Sequence, residues 1–76
     1  MDVVLPKWGM SMQAAVIAEW LVAVGDQIVE GQPLVRVETD KVDTDVESPG
    51  TGTLVEILVP DGDTVDVGTI IGRLDP

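Results

Sequence analysis

The chain has 76 residues, fourteen acids against four bases and a net charge of −10. It is expected to form one small domain, residues 1–76, with a modest core. It contains no cysteine, histidine, tyrosine or phenylalanine, which removes disulfides, thiolate metal sites, the commonest general base and the Ser-His pairing. Neither a self-sufficient hydrolase nor a zinc enzyme is therefore expected, and no residue is assigned as catalytic or as a metal ligand. The acidity argues against nucleic acid or an anionic membrane as partner; it leaves plain solubility, or docking on basic partner surfaces.

Fourteen valines, six threonines and five isoleucines favour strands, and Gly and Pro interrupt the chain at short intervals. An all-β fold of eight strands is predicted. The first covers about residues 2–5. After the Pro6–Met12 segment comes the second, about 16–21; its apolar pattern fits a helix or a strand, and Val16, Ile17, Val22 and Val24 favour the strand. Ala14–Val24, the longest apolar stretch, contains Glu19 and is too short to span a bilayer. A turn at Gly25-Asp26 leads to strand 27–29, and Gly31–Pro33 leads to strand 34–38. There alternation predicts Val35 and Val37 on one face, with Leu34, Arg36 and Glu38 on the other. Strand 43–47 follows, then Pro49-Gly50 and strand 53–58, with Leu54, Glu56 and Leu58 predicted opposite Val55, Ile57 and Val59. A second Gly-Asp turn, Gly62-Asp63, precedes strands 64–66 and 70–74. The run Asp61–Asp66 has the spaced acids of a calcium loop, but it lacks that loop's glycine position and distal glutamate, and is read as a turn.

A repeat governs the architecture. Shifted by 37 residues, the segment from Ile17 overlays the segment from Leu54: Glu19 on Glu56, Leu21 on Leu58, Gly25-Asp26 on Gly62-Asp63, Gly31 on Gly68 and Arg36 on Arg73. Self-similarity at a fixed period marks units that bury their faces against each other. Two halves, about 1–38 and 39–76, are expected to close one core about a pseudo-two-fold axis. Gly25 and Gly62 are expected to supply positive φ, with Asp26 and Asp63 bonding nearby amides. Trp20 is read as core, and Arg36 and Arg73 as solvated, symmetry-related ion-pairing residues.

The repeat fails at one place: Asp40-Lys41-Val42 falls on Val3-Val4-Leu5. Between strands ending near Thr39 and starting near Val42 or Asp43, only a tight hairpin fits, with Lys41 at its tip. The surrounding acids, Glu38, Asp40, Asp43 and Asp45, favour a protonated amine, which argues against a general base or Schiff-base lysine. Two readings stay open on the residues alone: a solvated surface lysine, or an amine presented for modification by another enzyme.

The segment "VETDKVDTDVESPGTGTLVEILVPDGDTVDVGTIIGRL", from Val37, resembles the lipoyl-lysine half of a lipoyl domain, and "LPKWGMSMQAAVIAEWLVAVGDQIVEGQPL", from Leu5, resembles the half before it. The matching features are the hairpin, the Gly-Asp turns and Pro6, Gly9 and Met12 at their spacing, and they cover essentially the whole chain. Such domains are carried by dihydrolipoyl acyltransferases of 2-oxo acid dehydrogenase complexes. The resemblance implies a flattened barrel or sandwich of two four-stranded antiparallel sheets, the barrel-sandwich hybrid, and lipoic acid amide-linked to Lys41. It implies that Glu38, Asp40 and Val42 are read by a lipoate-attaching enzyme, with Val42 standing where alanine is usual. It also implies that Lys7, Trp8, Gly9 and Met10 belong to a loop recognised by the decarboxylase; Trp8 and Met10 are equally readable as packing over a sheet edge. Ala15 stands where glycine is frequent, opposite Gly52 in the repeat. Implied partners are the attaching enzyme, a thiamine-diphosphate-dependent decarboxylase, the acyltransferase catalytic domain and dihydrolipoyl dehydrogenase. The domain itself is expected to be a monomeric carrier and not an enzyme, in a bacterial cytoplasm or a mitochondrial matrix. The rivals are a biotinyl domain, which typically has Met-Lys-Met where this chain has Asp40-Lys41-Val42, and an unmodified interaction module of the same fold.

Overall fold

The computed structural model describes residues 1–7, 13–39 and 42–76. Eight strands follow in order: β1 (Asp2–Val4), β2 (Ala14–Trp20), β3 (Gln27–Ile28), β4 (Pro33–Glu38), β5 (Asp43–Glu47), β6 (Gly52–Ile57), β7 (Thr64–Asp66) and β8 (Ile70–Asp75). No helix occurs among the described residues. The strands form two four-stranded sheets, ordered β1-β8-β6-β3 and β5-β4-β2-β7, with every pairing antiparallel. The molecule is flattened, at 32 × 21 × 17 Å.

Shifting the strands by half the chain turns the first sheet order into the second: β1, β8, β6 and β3 map onto β5, β4, β2 and β7. Each sheet thus combines two strands from each half. The inner faces meet in one core that includes Val3, Ile28, Leu54 and Ile71 from one sheet and Ile17, Val35, Val37 and Val46 from the other.

The repeated Gly-Asp pairs fasten the halves together. Gly25 N–H donates to Leu54 O (2.7 Å) and Leu54 N–H to Asp26 O (3.0 Å); symmetrically, Gly62 N–H donates to Ile17 O (2.6 Å) and Ile17 N–H to Asp63 O (2.7 Å). Gly25 and Gly62 hold φ of 99° and 93°, a region that side-chain-bearing residues resist. Asp26 Oδ2 accepts the Ala23 N–H at 2.9 Å, as its residue type predicts. The expected counterpart at Asp63 has no donor, because Pro60 stands at the matching position.

Simple alternation misplaces several side chains, and bulges are the reason. Ala18 is an extra residue on β2 against β4, and Val55 is its counterpart on β6 against β8. Leu34 on β4 and Ile71 on β8 form a second symmetric pair of extra residues. A bulge turns two consecutive residues to one side. Leu34 and Val35 are therefore both fully buried, contrary to the opposite faces predicted for them, while Val55 and Glu56 are both exposed. Trp20, predicted as core, is instead half-buried at the core margin: its Nε1–H donates to Val59 O (2.8 Å) and its backbone N–H to Asp61 Oδ1 (3.1 Å). At Gly52 a Cβ would lie 2.7 Å from Asp75 O, whereas its counterpart Ala15 carries a Cβ and is buried.

Candidate modification hairpin

Strands β4 and β5 pair as a hairpin, with Val35 opposite Val46, Arg36 opposite Asp45, Val37 opposite Thr44 and Glu38 opposite Asp43. Inward-facing Val35, Val37 and Val46 root it in the core. Beyond Glu38 and Asp43 the strands are closed by Thr39 and Val42. Thr39 N–H donates to Val42 O at 3.0 Å, the Thr39 hydroxyl donates to the same oxygen at 2.8 Å, and Val42 N–H donates to Thr39 Oγ1 at 3.1 Å. Two residues, Asp40 and Lys41, connect this pair in sequence; both lie outside the described residues. Glu38 and Val42, the described members of the predicted recognition frame, are exposed.

The electrostatics at the root do not favour the fold. Glu38 and Asp43 are like charges directly opposite each other, an arrangement that destabilises a strand pair. Among the described residues of the hairpin, Arg36 Nε lies 3.6 Å from Asp45 Oδ1. Its counterpart in the other sheet, Arg73, lies 3.6 Å from Asp2 and 3.7 Å from Glu56. Both arginines are about half exposed, as solvated ion-pairing residues should be, and such pairs stabilise little.

Of the predicted partner loop, Lys7 is exposed, and Trp8, Gly9 and Met10 lie outside the described residues. The loop's flanks are tied to the β7–β8 connection: Leu5 N–H donates to Thr69 O, Gly68 N–H to Leu5 O and Val67 N–H to Gln13 O. Val16 of β2 lies opposite Glu38 of β4. Because those strands are antiparallel, Gln13 and Ala14 extend from Val16 toward the same end as Thr39. The loop's exit and the hairpin root therefore share one end of the sheet. A shallow groove of about 310 Å³, lined by Ala14, Ala15, Val16, Glu38, Thr39 and Thr64, runs between them. Among the described residues no acidic group is arranged to hold a metal ion. Sequence reasoning did not single out Thr39; its signal is a hydroxyl residue two positions before a turn lysine, a setting in which threonine bonds local backbone.

Two interlocked four-stranded sheets, with one charged hairpin where their symmetry breaks, define a small two-sheet β domain. Comparison with known proteins agrees. The biotin/lipoyl family model, described as "Biotin-requiring enzyme", matches residues 1–74, and the chain belongs to that family. The chain is similar, at 51% identity over 96% of its length, to the dihydrolipoyllysine-residue acetyltransferase component of the pyruvate dehydrogenase complex of Corynebacterium glutamicum, of which it covers 11%. It is 42% identical over 97% of its length to the corresponding component of the acetoin cleaving system of Cupriavidus necator, covering 20% of that protein. A succinyltransferase component of the 2-oxoglutarate dehydrogenase complex from Staphylococcus saprophyticus is 44% identical over 92% of the chain, which covers 16% of it. The chain thus spans no more than a fifth of the length of these relatives. The solution structure of the lipoyl domain of the 2-oxoglutarate dehydrogenase complex from Azotobacter vinelandii superposes with a TM-score of 0.79 at 30% identity, covering 100% of this chain and 96% of that one. Within its family the chain is a lipoyl domain, a carrier and not itself a catalyst, and lipoic acid is the group such membership implies.

Proposed function

We propose that Lys41 carries lipoic acid in amide linkage, and that the domain is the swinging-arm carrier of an acyltransferase subunit in a 2-oxo acid or acetoin dehydrogenase complex. The observation that carries this reading is the β4–β5 hairpin: closed by Thr39 and Val42, it has only Asp40 and Lys41 left to connect its strands. The lysine stands where the other half of the fold has Val4, so the repeated architecture does not call for it. Attachment joins Nζ to the carbonyl carbon of an activated lipoyl carboxyl group; the amine loses a proton and the activating group departs. When bound, the dithiolane supplies acyl transfer and two-electron redox chemistry.

The protein's part is presentation. Glu38, Asp40 and Val42 form the address read by the lipoate-attaching enzyme. Lys7, Trp8, Gly9 and Met10, whose flanks lie at the hairpin's end of the sheet, are offered to the thiamine-diphosphate-dependent decarboxylase. The acyltransferase catalytic domain and dihydrolipoyl dehydrogenase are the remaining partners, and tethering raises the local concentration of the arm at each. The relatives named above belong to three complexes at 42–51% identity, so the proposal is made for the class of complex. A bacterial cytoplasm is the proposed compartment, in keeping with the bacterial origin of those relatives.

The test is incubation with lipoic acid, ATP and a lipoate–protein ligase, followed by intact mass. One lipoyl addition, lost in Lys41→Arg, is expected; an unshifted mass beside a modified control domain would overturn the reading. Biotin ligase with streptavidin detection, expected to be negative, checks the biotinyl rival, which the Asp40 and Val42 flanks disfavour.

A further inference from the structure

We propose that Thr39 is a positioning residue for lipoyl attachment: its hydroxyl clasps both backbone groups of Val42 and holds the hairpin closed, so that Lys41 is offered to the attaching enzyme from a single closed form. This rests on the assignment of the lipoyl group to Lys41. The hydroxyl donates to Val42 O at 2.8 Å while accepting Val42 N–H at 3.1 Å, and the Thr39 N–H adds a third bond at 3.0 Å.

Three observations say why this hairpin needs a clasp. Two-residue connections are ordinarily held by Asn-Gly, Asp-Gly or Gly-containing turns, and Asp40-Lys41 contains neither glycine nor asparagine. The strand pair beneath it is Glu38 opposite Asp43, which repels. The clasp is also absent from the repeated fold. Thr39 and Val42 correspond to Asp2 and Leu5, but Leu5 exchanges backbone bonds with Thr69 and Gly68, and Asp2 pairs with Arg73. The hydroxyl pairing therefore belongs to the hairpin.

Val42 is 59% exposed, so losing the hydroxyl leaves the core intact and changes the fraction of molecules with a closed hairpin. An enzyme that binds only the closed form sees an affinity reduced by that fraction. Its chemistry on the amine is unchanged. Thr39→Val should therefore raise the ligase's KM for the domain by about three- to tenfold, the scale of one or two lost hydrogen bonds, with kcat unaltered.

The test measures steady-state lipoylation of the wild type, Thr39→Val and Thr39→Ser with a lipoate–protein ligase, lipoic acid and ATP, together with hydrogen exchange at the Val42 amide. The expected result is a raised KM and faster Val42 exchange in Thr39→Val, both restored by Thr39→Ser, with the core amides protected and the domain folded in all three proteins. Wild-type KM in Thr39→Val would overturn the proposal. So would a raised KM with Val42 still fully protected, because the residue would then act through contact with the enzyme and not through closure. Failure of the wild type to accept lipoate is a separate outcome, which bears on the assignment of Lys41 itself.

Discussion

Single residues in this domain divide into those that hold the backbone and those that serve the hairpin. Gly62 keeps φ at 93° while its N–H reaches Ile17 O in the other half. Gly62→Ala should cost about 1–2 kcal/mol of unfolding free energy from left-handed strain, measurable by urea titration. Arg73 bridges Asp2 and Glu56 at 3.6 and 3.7 Å with its side chain half exposed, so Arg73→Gln should cost under about 1 kcal/mol in the same titration. The pattern of residue types foreshadows this contrast: matched glycines signal backbone geometry, and matched arginines on alternating positions signal solvent. It also points to Lys41, through the one place where the repeat breaks. Thr39 stays hidden at that level, since a threonine ending a β-branched strand looks like ordinary strand propensity; its role depends on which backbone groups its hydroxyl meets.

All eight strands are legible from β-branched content and Gly/Pro spacing, and each observed strand lies within two residues of its predicted ends. The facing of their side chains is less legible, because period-two counting cannot register an inserted residue. Ala18 and Val55, then Leu34 and Ile71, are inserted in symmetric pairs, so the shifts conform to the repeat and leave no mark in the alignment of the halves. Bulges bend strands and strengthen their twist, which suits a small barrel that must curve within a few residues. At the hairpin, the opposed Glu38 and Asp43 show an element kept at some expense to its own pairing. Replacing Asp43 with asparagine should raise stability by about 0.2–0.5 kcal/mol at low ionic strength. The gain should shrink as salt screens the pair, and thermal melts at two salt concentrations check both statements.

The whole molecule is an interlocked pair. One sheet takes β1 and β3 from the first half and β6 and β8 from the second, and the other sheet reverses this division. Neither half can complete a sheet alone, so a peptide of residues 1–38 should give the dispersed-free amide spectrum of an unfolded chain. A folded spectrum for that peptide would contradict the interlocking. With a net charge of −10, the intact domain repels itself, and moderate salt should raise its melting temperature. A scaffold so tied together holds the exposed root of the β4–β5 hairpin at one end of its sheet, which suits a carrier domain.

The central claim concerns Lys41, and one measurement addresses it most directly: intact mass and peptide mapping of the wild type, Lys7→Arg and Lys41→Arg after reaction with lipoic acid, ATP and a lipoate–protein ligase. The account predicts a single lipoyl addition on the wild type and on Lys7→Arg, mapped to the peptide containing Lys41, and none on Lys41→Arg. Modification of Lys41→Arg, or no modification of the wild type while a control domain is loaded, would contradict it.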